Sequence, residues 1–384
     1  MTRVFALIAG ILALATVIGL VALWPGKLDS KLGEGLAKKT DQAEIERIEE
    51  FRCSGFKTNT CRKVTVRLRS GPRKDTEGLF SLGTSGIDPE VSLGDRVRVV
   101  RAETPPGAEL PPEQEYSLAD FERRGPMLVL ALLFGVLVIV LGRLRGALSL
   151  VGLALSLAVV LAFVVPAILS GEKPLLVAVV GSMAIMLVTI PLAHGLGAKG
   201  LAAVLGTAAA LALTVALAAL FTELTNLTGL SSEEANLVGA NATGVSLGGL
   251  LLAGMVIGAL GVLDDVTVSQ ASTVLALRGA NPGLGASELF GRGLLVGRDH
   301  VSATVNTLVL AYVGASLPLL LIFSSSELGL VETANLEVIA KEIVATLVGS
   351  VGLMAAVPIT TALAAVLAVR LPAERLENAA AHVH

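Results

Sequence analysis

GALGVLDDVTVSQASTVLAL, residues 258–277, decides how this chain is read. A glycine-studded apolar run meets two adjacent carboxylates, Asp264 and Asp265, and continues through a polar series into a second apolar patch. An ionised carboxylate in hydrocarbon costs roughly 2.5–3.5 kcal/mol on insertion scales. The pair therefore marks either the end of a membrane span or a place where charge is used.

Composition puts the stretch in a membrane context. The chain of 384 residues is 53% hydrophobic and only 16% charged, against roughly 25% charged in an ordinary soluble domain. Its mean hydropathy is +0.77. The 41 glycines and the 3% of aromatics suit helices that pack closely through small side chains. Charge concentrates in residues 25–125, and no basic tract points to nucleic acid.

The first apolar run, residues 4–24, follows Arg3 and is long enough to span. A cleaved signal peptide is the alternative. The run is long for such a signal and "ALWPGK" offers no small-x-small cleavage site, so residues 1–25 are expected to be an uncleaved signal anchor. Residues 26–125 read as a β-rich domain and linker: a short polar helix at 31–50, then strands. "CRKVTVRLRSG" alternates Val64, Val66 and Leu68 with basic residues, and "GLFSLG" and "LGDRVRVV" add two more strands, the second opened by a turn at Gly94-Asp95. A small OB- or SH3-like barrel is the expectation, followed by the proline-rich linker "RAETPPGAELPPEQE". Cys53 and Cys61 bracket "SGFKTNT", which reads as a hairpin disulfide in an oxidising compartment, with two buried thiols as the alternative.

Seven further spans follow by hydropathy, at 126–142, 147–169, 174–193, 200–221, 245–263, 301–324 and 340–369, the last expected to kink at Pro358. They make a bundle over 126–370 and leave 371–384 as a tail. With the N-terminus inside, Arg143, Arg145, His194, Lys199, Arg278, Arg292, Arg298, Arg370 and Arg375 all fall inside, while acidic loops fall outside. The rule thus predicts an α-helical polytopic protein of about eight spans, both termini cytoplasmic and residues 26–125 extracytoplasmic. Residues 237–277 carry only two charges and could hold two spans. That would put Arg278 and its neighbours outside, so one span followed by a re-entrant or amphipathic segment at 264–277 is preferred.

The usual chemical motifs are absent or out of context. "GLGAKG" at 195–200 has the dinucleotide spacing but sits in a turn between spans, not after a strand. There is no P-loop, HExxH, paired CxxC or serine-nucleophile elbow. Asn226-Leu-Thr and Asn241-Ala-Thr are sequons only in a eukaryotic secretory setting. Gly244, Gly248, Gly254 and Gly258 read as close helix packing.

Two polar constellations remain. In a helix after the aspartates, Asp265, Ser269, Ser272 and Thr273 share one face, with Gln270 near its edge. An N-cap would account for one aspartate but not for the polar series behind it. Downstream, "GRDHVSATVNTLVLAYVGASLPLLL" opens a span with Asp299 and His300; Asp299, Ser302 and Asn306 form one stripe, and His300, Thr304 and Thr307 its neighbour. These are either interfacial charges with an interhelical hydrogen bond, or a second wall of the same cavity. If the faces converge, Asp264, Asp265, Asp299 and His300 make a proton relay or a divalent-cation site of hard ligands and one imidazole.

With these two motifs, and with a signal anchor followed by an external β-domain, the sequence resembles the YibE/F-like family of bacterial multi-pass membrane proteins. The resemblance covers almost the whole chain and implies a bacterial cytoplasmic-membrane protein, no named activity and no cofactor. It carries Asp264, Asp265, Ser269, Gln270, Asp299, His300 and Asn306 without defined roles, and the cysteine-bracketed hairpin is a departure from its general pattern. The expected function is a secondary transporter or channel for a small solute or ion. Asp264, Asp265 and His300 would bind the coupling proton or cation, and Ser269, Gln270, Thr304 and Asn306 would line the path. The alternatives are a membrane-embedded metal-dependent enzyme on a lipid-linked substrate, and a non-catalytic envelope-assembly protein. Expected partners are the lipid bilayer and either an envelope protein or a second copy.

Overall fold

The computed structural model describes residues 2–26, 39–51, 61–83, 88–102, 115–242, 244–325 and 328–371. The chain packs as two compact units, one over residues 33–137 and the other from residues 1–32 and 138–384.

The smaller unit is a five-stranded antiparallel sheet curled into a half-barrel. Its strands are β1 (Asp41–Phe51), β2 (Cys61–Leu68), β3 (Glu77–Leu82), β4 (Arg96–Arg101) and β5 (Tyr116–Phe121), in the order β3-β2-β1-β4-β5. The curl brings the edges together: a Cβ on Gly78 of β3 would lie 3.0 Å from the Tyr116 ring of β5. Alternation drives the core, with Val64, Val66 and Leu68 buried beside Ala43, Ile45, Phe80, Val97 and Val99. Gly94 takes φ +84° in the expected turn, and Asp95 accepts from the Ser92 N–H at 2.7 Å.

The helix expected at 31–50 is corrected where it is described. Asp41–Phe51 is the central strand, pairing with both β2 and β4. "DQAEIERIEE" favours a helix by local propensity, but as a strand it buries Ala43 and Ile45 and turns Glu44 and Glu46 toward Arg69 and Arg67. Tertiary pairing overrides propensity here. β5, "YSLADF", had no sequence signal strong enough to separate it from the linker, most of which lies outside the described residues. Cys61 is buried at the start of β2 and disulfide-bonded; Cys53 lies outside the described residues.

Glu122 closes this unit. Its carboxylate accepts from Arg124 Nε at 2.7 Å and Nη2 at 2.6 Å, from Arg98 Nη1 at 3.1 Å and from Gln42 Nε2 at 2.9 Å. Hydrogen bonds from Arg124, then from Arg98 and Gln42, hold its carboxyl far below the ordinary carboxylate range.

The helices, all in the larger unit except the first part of α2, are α1 (Thr2–Ala22), α2 (Arg124–Val159), α3 (Val165–Leu169), α4 (Pro174–His194), α5 (Ala198–Leu224), α6 (Glu233–Asn241), α7 (Leu247–Ala280), α8 (Ala286–Ala315), α9 (Leu317–Ser324), α10 (Leu330–Asn335) and α11 (Glu337–Ala368). A π-helical turn, Val160–Val164, joins α2 to α3 just before Pro166. Among the described residues six helices are long and apolar enough to cross a membrane, or up to seven if α8 and α9, bent by 64°, form one broken span. Arg124–Leu169 enters that count as one helix of 46 residues. The backbone leaves helical geometry inside it, at Arg143 (φ 49°, ψ −131°), between the two spans expected at 126–142 and 147–169. α11 runs through Pro358 as one helix.

Small residues set the packing. α5 lies antiparallel to α11, and a Cβ on Gly206 would fall 2.1 Å from Thr360 Oγ1, while one on Gly352 would fall 2.1 Å from Thr214 Oγ1. Two reciprocal Gly–Thr contacts thus hold two backbones closer than any larger side chain permits. Thr207 Oγ1 bonds Thr267 Oγ1 at 2.6 Å, fastening α7 to α5. Large side chains point outward instead, with Leu7, Leu14, Val21, Leu213, Leu220, Leu347 and Val351 exposed. Small residues at the helix contacts, with many leucines and valines turned outward, is the arrangement expected where lipid is the solvent.

The segment at 264–277 is not re-entrant. α7 is one helix with both aspartates in its middle, and its N-cap is Ser246, whose Oγ accepts from the Gly249 N–H at 3.1 Å. Its 34 residues extend about 50 Å at 1.5 Å per residue, well beyond the roughly 30 Å of a bilayer core. One rod therefore accommodates the apolar span and the polar extension that otherwise seemed to need two elements.

Two predictions follow from these contacts. Gly206→Leu and Gly352→Leu each force the α5–α11 pair apart, and overpacking of about 1–3 kcal/mol is expected as a lower melting temperature of the purified protein in detergent; an unchanged melting temperature in both contradicts the close contact. In the β unit, a carboxyl depressed in the folded state contributes stability above its unfolded value that is lost as pH falls. Glu122→Gln should accordingly flatten the acid side of the pH profile of amide-exchange protection at Val97 and Val99; a profile matching the unsubstituted protein contradicts this.

Candidate functional site

A cavity of about 620 Å³ opens among α2, α4, α5 and α7. α7 supplies Gly261, Asp264, Asp265, Val268, Ser269 and Ser272, α4 supplies Thr189, Ile190, Ala193 and His194, α5 supplies Lys199, and α2 supplies Ser149, Gly152 and Leu153. The helical face expected from the sequence thus materialises in Asp265, Ser269 and Ser272. Thr273 is turned to its own helix, donating to Ser269 O at 3.0 Å.

α4 and α7 run side by side in the same direction. A Cβ on Gly249 would meet Pro174 Cδ at 3.3 Å near their starts, and Thr189 meets Asp264 further along. Asp264 therefore sits a little over one turn from the His194 end of α4, with Lys199 across the short α4–α5 turn. The cavity joins carboxylates within to the Lys199 ammonium and the His194 imidazole at that end.

The environment of Asp264 is unusual. Its Oδ1 is buried with no hydrogen-bond partner, the only carboxylate oxygen in that condition among the described residues. Its Oδ2 lies 3.4 Å from Thr189 Oγ1. That hydroxyl has one proton, and it also donates to Ile185 O at the shorter distance of 2.9 Å. A carboxylate only accepts, and a buried acceptor without a donor costs about 1–3 kcal/mol, more when charged. Asp264 is built to receive something. Asp265, by contrast, is exposed, and neither it nor Lys199 makes a hydrogen bond or ion pair among the described residues.

The remaining expected residues go elsewhere. Gln270 lies five positions beyond Asp265, about 140° round the helix at 100° per residue. It is buried, and its Nε2 donates to Gly293 O and Thr361 Oγ1, both at 2.7 Å. It ties α7 to α8 and α11 and does not line the cavity. Asp299, His300 and Asn306 are exposed on α8, and Thr304 Oγ1 donates to His300 O at 2.9 Å. α8 turns Leu289, Gly293 and Gly297 toward the bundle, where a Cβ on Gly297 would meet Val357 Cγ1 at 2.5 Å. The stripe of Asp299, Ser302 and Asn306 consequently faces away, while His300 and Thr304 follow the packed face; no α8 residue lines the cavity, so the two constellations do not meet there. The four-residue metal set of Asp264, Asp265, Asp299 and His300 falls with that separation, and among the described residues no three His, Cys, Asp or Glu side chains group as metal ligands. His194, Lys199, Ser149 and Thr189 are the polar lining residues that the sequence reading does not mark as a site. The first two registered only as loop charges, because a turn brings them to α7 and no periodicity records it.

Accessibility tests this assignment. In a background lacking Cys53 and Cys61, Ser269→Cys and Ser272→Cys should react with a water-soluble thiol reagent, while Gln270→Cys stays unreactive. Equal labelling at all three positions contradicts the arrangement.

A profile of the YibE/F-like protein family matches residues 130–370, a range that includes every residue lining the cavity and both motifs. No curated protein matches the chain, and no solved structure does. With more than half its length matched, the chain belongs to the YibE/F-like family, as a multi-pass membrane protein.

Proposed function

We propose that this protein is a secondary transporter or channel for a small solute or ion, in which Asp264 binds the coupling proton or cation. One observation carries the reading: a carboxylate oxygen buried without a donor, on the wall of a cavity large enough for a small solute. Intramembrane carboxylates that face a cavity and lack a fixed partner mark ion and proton pathways by their cost alone. Asp265, Ser269 and Ser272 continue the polar wall toward the His194 end, giving a path of acceptors and hydroxyls.

Orientation belongs to the same proposal. The distribution of basic residues sets both termini in the bacterial cytoplasm and the β unit outside, so that the cavity, through His194 and Lys199, opens to the cytoplasmic side. The external unit then lies where Cys61 finds an oxidising compartment.

Reconstitution tests it. In proteoliposomes loaded with a pH-sensitive dye and exposed to a panel of monovalent cations, amines, carboxylates and amino acids, Asp264→Asn should cut the flux that the unsubstituted protein supports by at least about tenfold, which corresponds to ~1.4 kcal/mol of lost interaction. Asp299→Asn, on the face away from the cavity, should leave it unchanged. A flux indifferent to Asp264→Asn overturns the reading.

A further inference from the structure

The charges of the cavity specify more than a cation. Two carboxylates, Asp264 and Asp265, share its wall with one fixed ammonium group, Lys199. Asp264 is half-buried, with its Oδ1 enclosed and without a donor. Asp265 is exposed to the cavity and unpaired, and Lys199 is half-buried and equally unpaired among the described residues. Had the site evolved only to stabilise itself, Lys199 and Asp265 would be placed to satisfy each other. Instead an ammonium and a carboxylate line one cavity without contact. Lys199 is partly desolvated there, and a solute that brings it an acidic group while offering an ammonium to Asp265 would answer both charges.

Neutralising Asp264 with the coupling proton or cation leaves Asp265 and Lys199 as the charged groups of the lining, with Arg145, near Lys199 and His194, adding positive charge at the same end. We infer that the cavity takes a small dipolar solute, one carrying an ammonium and an acidic group on the same molecule, with its ammonium at Asp265 and its acidic end at Lys199. His194, beside Lys199 on the lining, adds an imidazole N–H for the acidic end. Ser269 supplies a hydroxyl that serves either end, while Ser149 and Ser272, whose protons go to Arg145 O and Val268 O, offer acceptors to the ammonium. A lone cation would leave Lys199 unanswered, and a lone anion would leave Asp265 so. The cavity, about 620 Å³, falls in the range of small-molecule sites, roughly 300–1,000 Å³. This inference rests on the transport reading and names its substrate class.

Binding to the full-length protein in detergent discriminates. The probes are glycine, β-alanine and γ-aminobutyrate, with propylamine and butyrate as single-charge matches, each read by ligand-induced shift in melting temperature over a concentration series. At least one dipolar probe should bind about tenfold or more tighter than both single-charge matches. Lys199→Gln should erase its advantage over propylamine, and Asp265→Asn its advantage over butyrate. Each variant thereby gains a preference of its own, which an unfolded protein cannot show. Dipolar probes that bind no better than the single-charge matches overturn the inference, as does a preference unmoved by both substitutions. Should that occur while Asp264-dependent flux of protons or simple cations persists in proteoliposomes, the substrate class fails and the transport reading stands. Loss of that flux dependence as well brings down both.

Discussion

The site depends on how closely α5 can approach its neighbours. Gly206 against Thr360 and Thr214 against Gly352 bring α5 and α11 into near backbone contact, and the Thr207–Thr267 bond holds α7 to the same helix. In a bilayer no hydrophobic drive favours helix association over lipid, so close van der Waals contact and interhelical hydrogen bonds must supply it. The glycines and threonines are therefore what fixes the rotation of α7. Rotation decides everything at the site. It turns Asp264, Asp265, Ser269 and Ser272 toward α4 and α2, and Gln270 toward α8 and α11. Had α7 been free to turn by a third of a circle, the carboxylates would face the packed interior and the glutamine would line the cavity.

The same constraint divides polar residues by job. Gln270 is buried among three helices with its Nε2 donating to both α8 and α11, the condition in which a polar side chain adds specificity to packing. Asp264 is incompletely engaged, the condition in which it invites a ligand. Both stand within one short stretch and look alike in sequence. Only their partners separate them.

Much of the architecture was legible beforehand. Apolar runs located the long helices, alternation located β2 and β4, and the period of 3.6 grouped Asp265 with Ser269 and Ser272. The failures have physical causes. β1 reads as a helix because Glu, Arg and Ile favour one locally, and only pairing with β2 and β4 makes it a strand. α7 reads as two elements because its apolar run stops at the aspartates, although nothing in Gly261–Ser272 terminates a helix. The aspartate–histidine pair on α8 was brought to the cavity because both constellations lie toward one end of their helices. Gly293 and Gly297 set a face of α8 against the bundle from which Asp299 is turned away, and no α8 residue reaches the cavity. His194 and Lys199 were counted as topology and not as chemistry, since their approach to Asp265 exists only in three dimensions.

The central claim is that Asp264 receives a proton or cation from the cavity. Infrared difference spectroscopy of the protein in lipid, with pH or the candidate cation changed across one sample, tests it without knowledge of the transported solute. The account predicts a carboxyl band that responds to that change, survives Asp299→Asn and disappears in Asp264→Asn. A set of carboxyl bands identical in the unsubstituted protein and in Asp264→Asn would contradict it.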